Sequence, residues 1–262
     1  MTKKPKAHFI LCHPEPKSFN AHLVHMGMKT LSNQGWDVSS TDLYSEGFSP
    51  LEQLSHYSEP KNPDRFDAQL EQKHASDQGT IPDDVQRQLS FLETCDLLIV
   101  QYPMWWHLPP AIFKGWMDRV FVYGKVYASK QRFENGIFVG KRAMISVTVG
   151  TSPETYHHNG RSGDMDLMLW PINFSLAYVG FEVLAPFVAY GVEANLRYSS
   201  EEEVNTRLLQ IEEEFKQRLD TIDQSETVPF NKMEHWGEDG HIKPDAPVYS
   251  PFIRHQKNLK LS

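Results

Sequence analysis

Residues 95–122, CDLLIVQYPMWWHLPPAIFKGWMDRVFV, decide the fold of this chain. Their first part, CDLLIVQ (95–101), is an apolar run of the length typical of a strand that is buried on both faces. The turn PMWWHLPP (103–110) follows, and from residue 111 to residue 122 the apolar side chains fall at helical spacing. A buried strand followed by a helix is the unit from which doubly wound parallel sheets are built.

The same alternation continues on both sides of this stretch. It predicts a five-stranded parallel α/β sheet, with the further strands at 7–12, 36–43, 142–148 and 181–190. Helices are predicted at 18–34, 83–93, 111–122, 164–179 and 200–223. The polar segment 45–80 lacks a sustained period and is expected to cover the domain with short helical pieces. We therefore expect one domain over 1–224 and an extended C-terminal tail over 225–262 that packs on it or on a partner subunit.

Composition excludes several classes of protein. The 262 residues include 26 Lys and Arg against 34 Asp and Glu, a net charge of −8 that argues against a nucleic-acid binder. No apolar run is long enough to span a membrane, and no apolar region follows the basic N-terminus as in a secretory signal. Cys12 and Cys95 flank apolar runs and are expected to be buried thiols rather than a disulfide. These features predict a cytoplasmic protein.

Three chemically unusual loops follow the first, third and fourth strands: HPEPKSFN (13–20), PMWWHLPP (103–110) and VGTSPETYHHNG (149–160). In an open parallel sheet, ligands bind beyond the carboxyl ends of the strands, where the strand order reverses. If the order is 2-1-3-4-5, these loops are neighbours at that crevice. The sequence therefore predicts a ligand site there.

The first loop has no G-x-G-x-x-G motif, so it does not predict a Rossmann dinucleotide site. It places Ser18, Phe19 and Asn20 at a helix N-terminus, where free N–H groups attract phosphate. The side chains of Ser18 and Asn20 could add hydrogen bonds, and His13 or Lys17 could add positive charge. A plain helix cap without a ligand remains an alternative.

The second and third loops suit a flat ring. Trp105 and Trp106 offer aromatic faces with backbone donors between them, as a planar heteroaromatic ligand requires, although two tryptophans could simply plug the end of the sheet. Gly150 allows close backbone approach, and the phenol of Tyr156 can donate to a developing anion. The adjacent His157 and His158 diverge in direction and no further ligands complete their spacing, so no metal is expected.

With these loops, the sequence resembles the NAD(P)H:quinone oxidoreductase (DT-diaphorase-like) family of flavodoxin-like flavoproteins. The residues that carry the resemblance are HPEPKSFN (13–20), QYPMWWHLPPAIFKGWMDRVF (101–121), SVTVG (146–150) and GDMDLMLWPI (163–172), in order over about 7–220. The family implies a flavodoxin-like sheet and a two-electron, ping-pong reduction of quinones by NAD(P)H. It also implies a homodimer with shared active sites and one FAD per subunit, FMN being the less favoured flavin.

The resemblance also assigns residues. It implies that the flavin contacts His13, Lys17, Ser18, Phe19, Asn20, Pro103, Met104, Trp105, Trp106, His107, Thr148, Val149, Gly150, Thr151, Tyr156 and, at the adenine side, Arg207. The substrate is expected against Trp106, His107, Gly150 and Thr151, with Tyr127 and Tyr178 contributed by the partner subunit.

The chain departs from the family at the residues expected to be catalytic. Family members have a Tyr followed six residues later by a His, a relay that neutralises the reduced flavin; here Tyr156 is followed by Ser162, with His157 as one possible substitute. The physiological acceptor therefore stays open. Alternatives to this reaction stay open: an FMN-dependent azo or nitro reductase, a flavoprotein regulatory subunit of a potassium-efflux system, and a flavin store without catalysis.

Overall fold

The computed structural model describes residues 4–193, 196 and 199–255. Its strands are β1 (Lys6–Leu11), β2 (Asp37–Asp42), β3 (Leu97–Pro103), β4 (Arg142–Thr148), β5 (Glu182–Val183) and β6 (Phe187–Ala189). Its α-helices are α1 (Phe19–Asn33), α2 (Ala68–Gln78), α3 (Asp83–Thr94), α4 (Ala111–Val120), α5 (Met165–Tyr178) and α6 (Glu201–Asp220). Each predicted strand and helix is present to within a few residues at its ends, apart from the fifth strand.

The sheet is parallel and has the order β2-β1-β3-β4-β5, so the predicted order is confirmed. The central strand β3 is buried along its whole length, and its side chains alternate between two apolar layers. Leu98 and Val100 face the layer that contains α3, α4 and α5, whereas Leu97 and Ile99 face the layer that contains α1 and α6. Helices therefore cover both faces, which is why the sequence of β3 is apolar without alternation.

The predicted fifth strand over 181–190 is wrong in one respect, because it is divided into β5 and β6. Ala143 of β4 lies opposite Val183, and Ser146 lies opposite Phe187, so the fifth strand carries one extra residue between the two pairs. The extra residue falls beside Pro186, which has no N–H to donate to the ladder. A bulge at this edge accommodates the proline.

The segment 45–80 is more ordered than its composition predicts. It includes the eleven-residue helix α2, in which Asp67 caps the start and Gly79, at φ +71°, ends the last turn. The segment lies directly on α4: a Cβ on Gly115 would come 2.1 Å from the carbonyl oxygen of Pro50. Only glycine allows this approach of backbone to helix.

The described part of the tail packs on the domain. The N–H of Ala185 donates to the Glu226 carbonyl at 2.7 Å, and the N–H of Val228 donates to the Val183 carbonyl at 2.8 Å. Further along, the ring of Phe252 lies 4.9 Å from that of Trp170. Within the residues that the structure describes, no helix has the length and apolarity needed to cross a membrane.

Candidate functional site

Three contacts bring the predicted loops together at the carboxyl edge of the sheet. The rings of His13 and Trp105 meet edge to face at 6.0 Å, which joins the first loop to the second. The N–H of Met104 donates to the Thr148 carbonyl at 3.0 Å, and the Asn20 amide donates to the Thr148 hydroxyl at 3.1 Å. The loops after β1, β3 and β4 therefore form one continuous surface, as predicted from their topology.

The first loop ends in a helix start that is open to a ligand. Ser18 is the N-cap of α1, and its hydroxyl accepts a hydrogen bond from the N–H of Ala21 at 3.2 Å. The N–H groups of Phe19 and Asn20 precede the first hydrogen bond within the helix, so they remain available to an acceptor. No acidic residue occupies the first turn, and Lys17 lies exposed beside it. This end of α1 therefore suits an anion.

The side chain of Asn20 is already engaged. Its amide group donates to the Thr148 hydroxyl, and its carbonyl oxygen accepts from the Gln101 amide at 2.8 Å. The polar atoms of this side chain are therefore directed to Thr148 and Gln101, whereas the sequence allowed for a hydrogen bond to a phosphate. Asn20 offers its backbone N–H to a ligand instead.

The second loop is a tight turn with unusual backbone. Trp105 and Leu108 pair through both of their backbone hydrogen bonds, at 2.9 and 3.1 Å. The two central residues, Trp106 and His107, have φ values of +53° and +64°, which makes the turn type I′. This region ordinarily favours Gly, Asn or Asp, so two bulky residues here indicate a functional constraint rather than a packing role. The Trp106 side chain is 92% exposed, so it does not plug the sheet.

The third loop folds back on itself beside β4. The hydroxyls of Thr151 and Thr155 lie 2.7 Å apart, and the N–H of Ser162 donates to the Thr155 carbonyl at 2.9 Å. Tyr156 is half-buried, with its ring 5.9 Å from that of Tyr190. His157 is exposed to solvent. The loop therefore brings Tyr156 and the Ser162 backbone together, while His157 stays on its outer side.

Two clefts flank this surface, and helix α6 contributes to both. One has a volume of about 350 Å³ and is lined by Gly150, Thr151, Ser152, Pro153, Thr155, Arg161, Tyr190, Gly191, Glu193, Ser199 and Arg207. The other, of about 460 Å³, is lined by Lys17, Phe19, His22, Asn205, Leu208, Leu209 and Glu212. The predicted cofactor residues that line these clefts come from the first loop, the third loop and α6, whereas no residue of the turn 103–110 lines either cleft.

Arg207 is held within the chain. Its guanidinium donates to the Gly191 carbonyl at 2.9 Å and to the Glu193 carboxylate at 3.2 Å. It also donates to the Ser199 hydroxyl at 3.3 Å. Arg207 therefore fixes the segment after β6 as well as lining the cleft. Sequence reasoning missed Tyr190 and Glu193, although both follow the fifth strand at the same edge of the sheet.

Tyr127 and Tyr178 lie together but away from the three loops of their own chain. Their rings meet edge to face at 6.0 Å, and Arg132 donates to the Tyr178 hydroxyl at 3.3 Å. Tyr178 ends α5 just before β5, whose Glu182 pairs with Arg142 at the start of β4. This is the amino-terminal edge of the sheet, opposite the loops. Within one subunit these tyrosines cannot reach the predicted ring site.

Burial prevents two groups next to these loops, the Cys12 thiol and the Tyr102 hydroxyl, from taking part in acid–base chemistry. It raises the pKa of the Cys12 thiol well above its usual range, with the charge of Asp42 adding to the effect, so Cys12 stays protonated. Burial likewise raises the pKa of Tyr102, whose hydroxyl lacks a partner among the described residues. The polar chemistry of this edge is therefore left to the backbone donors and the side chains of the three loops.

The fold and this edge of the sheet define a member of the flavodoxin-like class. The family model Flavodoxin_2, described as a flavodoxin-like fold, matches residues 5–219, and the chain belongs to that family. The resemblance inferred from the sequence is therefore confirmed.

Individual relatives are similar over most of the chain. Ribosyldihydronicotinamide dehydrogenase [quinone] of Mus musculus is 36% identical over 225 residues, which cover 85% of this chain and 94% of that protein. NAD(P)H dehydrogenase [quinone] 1 of Rattus norvegicus is 35% identical over 189 residues, 71% of this chain and 69% of that protein. A solved structure assigned as a quinone reductase from Klebsiella pneumoniae superposes with a TM-score of 0.79 at 33% identity, covering 92% of both chains.

Proposed function

We propose that this protein is a flavin-dependent oxidoreductase that reduces quinones with electrons from NAD(P)H. The observation that carries the proposal is that three features lie together at one edge of the sheet. They are the N-terminus of α1, which suits a phosphate, the turn that exposes Trp106, and the glycine-containing loop after β4. Relatives at 33–36% identity that carry quinone reductase or quinone dehydrogenase names support the choice of reaction. Two of the alternatives, an FMN-dependent azo or nitro reductase and an efflux regulator, gain no such support.

The residues present fit FAD. The free N–H groups at the start of α1 and the exposed Lys17 suit a pyrophosphate, and the cleft of about 460 Å³ between α1 and α6 has room beside it for an adenosine. Gly150 leaves the third loop open, since a Cβ there would meet only the Val192 carbonyl oxygen, at 3.8 Å. In this proposal the cleft between α1 and α6 favours FAD over FMN, because FMN has no adenosine to fill it. Arg207, which the resemblance placed at the adenine side, lines the other cleft and is not assigned to the adenosine here.

A bound flavin would supply the redox chemistry that moves a hydride from NAD(P)H to the quinone. The chain's own groups hold the two reactants in turn. The Trp106–His107 turn forms the floor on which a flat acceptor stacks, and the Tyr156 hydroxyl donates a hydrogen bond to negative charge that develops beside the third loop. Ser162 stands at the position of the family relay histidine, and His157 is exposed on the outer side of the loop, so Tyr156 is the main donor in this proposal.

We propose a homodimer as part of this function. Tyr127 and Tyr178 lie too far from the loops of their own chain to contact an acceptor there. A second copy, with its amino-terminal sheet edge turned toward these loops, would supply both rings to the acceptor site beside Trp106. The mass of the protein by sedimentation equilibrium tests this part.

The visible spectrum of the purified protein tests the central proposal. We expect flavin absorbance that bleaches on addition of NADH or NADPH without oxygen and returns on addition of menadione. Chromatography of the flavin released by denaturation distinguishes FAD from FMN. A colourless protein that takes up neither added flavin contradicts the proposal.

A further inference from the structure

A buried polar network lies beneath the start of α1, on the otherwise apolar side of the sheet. Asn20, Gln101 and Thr148 are 4%, 1% and 4% exposed. Their side chains are joined by three hydrogen bonds of 2.8 to 3.2 Å. Around them, the layer between the sheet, α1 and α6 contains apolar residues such as Leu11 and Phe187.

Stability alone does not account for this network. Burying amide and hydroxyl groups is costly unless every one is paired, and here the Gln101 carbonyl oxygen has no partner among the described residues. Ser146, which lies opposite Gln101 in the sheet, also has an unpaired and fully buried hydroxyl. Apolar residues of the same shape would fill this layer at similar or lower cost. The polar groups therefore indicate a role in function.

The network joins two backbone segments that face the proposed cofactor. Asn20 is the second residue of α1, and its N–H is one of the free donors at the helix end. Thr148 ends β4, and its carbonyl accepts from the N–H of Met104, the residue before the turn from Trp105 to Leu108. The side chain of Asn20 thus connects the N–H donors at the start of α1 to the end of β4 and, through Thr148, to the turn after β3.

We propose that Asn20 is a positioning residue, held by Gln101 and Thr148 so that the start of α1 and the end of β4 bind the phosphate and the ring of one cofactor at the same time. This inference rests on the proposed function. A ligand with two recognition groups gains affinity only when the sites that receive them are held at a fixed separation. The side chain of Asn20 sets that separation without touching the ligand.

The test compares flavin affinities of apoprotein variants by quenching of flavin fluorescence. Thr148→Val keeps the shape of the side chain but removes the hydroxyl, and Asn20→Leu removes the amide. We expect each to raise the Kd for FAD about tenfold to a hundredfold, the range typical of lost supporting contacts. The double variant should be no weaker than the worse single variant, and the Kd for riboflavin, which has no phosphate, should change less than about threefold in all of them.

Thr41→Val is the matched control. Thr41 is also a fully buried threonine of the same sheet, and its hydroxyl bonds to His8 at 3.2 Å on the face of the sheet opposite the Asn20 network. We expect its FAD affinity to equal that of the unsubstituted protein. Urea unfolding of each apoprotein shows whether a variant is folded, and Thr148→Val decides the matter alone if Asn20→Leu does not fold.

Two outcomes overturn the inference while leaving the proposed function intact. One is unchanged FAD affinity in Thr148→Val alongside a loss in Asn20→Leu, which would make Asn20 a direct contact. The other is unchanged affinity in both variants. Failure of the unsubstituted protein to bind FAD or FMN overturns the proposed function, and this inference with it.

Discussion

Replacement of Trp106 by glycine tests whether backbone strain in the turn from Trp105 to Leu108 lowers the stability of the protein for the sake of function. Trp106 has a φ of +53°, and an L-residue in this region costs about 1–2 kcal/mol relative to ordinary backbone. Glycine relieves that cost, but it adds about 0.5–1 kcal/mol of conformational entropy to the unfolded chain. Because the side chain is 92% exposed, its removal loses little burial. We expect Trp106→Gly to raise the free energy of unfolding by about 0.5–1 kcal/mol.

Leu108→Gly is the matched control in the same turn. Leu108 is 59% exposed and is not among the residues with positive φ, so glycine relieves no strain there. We expect this variant to be about 0.5–1 kcal/mol less stable than the unsubstituted protein. The two variants are expected to change the free energy of unfolding in opposite directions. This difference separates the effect of backbone strain from the effect of losing a side chain.

The assays are urea unfolding of the apoprotein and steady-state reduction of menadione. We expect Trp106→Gly to raise the KM for the quinone while it stabilises the fold. A loss of 1 kcal/mol or more in Trp106→Gly would refute the strain argument, since it would mean that the indole is packed in solution. Greater stability with an unchanged KM would refute the assignment of Trp106 to the acceptor floor.

Three further predictions concern single side chains. Tyr156→Phe should lower quinone turnover about tenfold to a thousandfold, the effect of one lost donor, with little change in flavin affinity; full turnover would exclude that role. Burial lowers the pKa of His8 from 6.5 to about 4, so the folded protein resists protonation there. Stability is complete above pH 6.5 and should fall by at most about 3 kcal/mol as the pH drops toward 4, and His8→Gln should flatten this part of the urea-unfolding profile between pH 7 and pH 4. Although burial opposes ionisation of Asp84, hydrogen bonds from Arg119 outweigh it and hold the pKa of Asp84 below its ordinary value. Asp84→Asn should therefore cost about 2 kcal/mol of stability at pH 7 by urea unfolding, less than for a fully buried pair because Asp84 is partly exposed, and an unchanged midpoint would contradict this.

The strands and the central position of β3 were predictable from the hydrophobic pattern. Strand β3 must be apolar on both faces because it lies between two helical layers, and a continuous apolar run of this kind can be recognised from sequence alone. The fifth strand was only partly predictable. Pro186 disfavours a continuous strand, but the sequence analysis did not predict a break there, because the bulge that accommodates the proline depends on pairing with β4.

The convergence of the three loops was predictable, whereas the contacts of their side chains were not. Topology alone brings the loops after β1, β3 and β4 to one edge. Whether Asn20 faces a ligand or the interior depends on Gln101 and Thr148, which are 81 and 128 residues away in sequence. Arg207 likewise meets Glu193 only in the folded chain. Contacts of this kind follow from tertiary packing and leave no periodic signal.

The hydrogen bonds that join Ala185 and Val183 to the segment 226–228 affect how a shortened chain would behave. β5 and β6 form the outermost strand of the sheet, and an outermost strand with unpaired N–H and C=O groups is a template for other chains. Residues 226–228 of the same chain pair with this outermost strand, antiparallel to Leu184, and so take the position that another chain could take. A protein truncated after residue 224 would expose it, and would be prone to self-association and aggregation even with every catalytic loop intact.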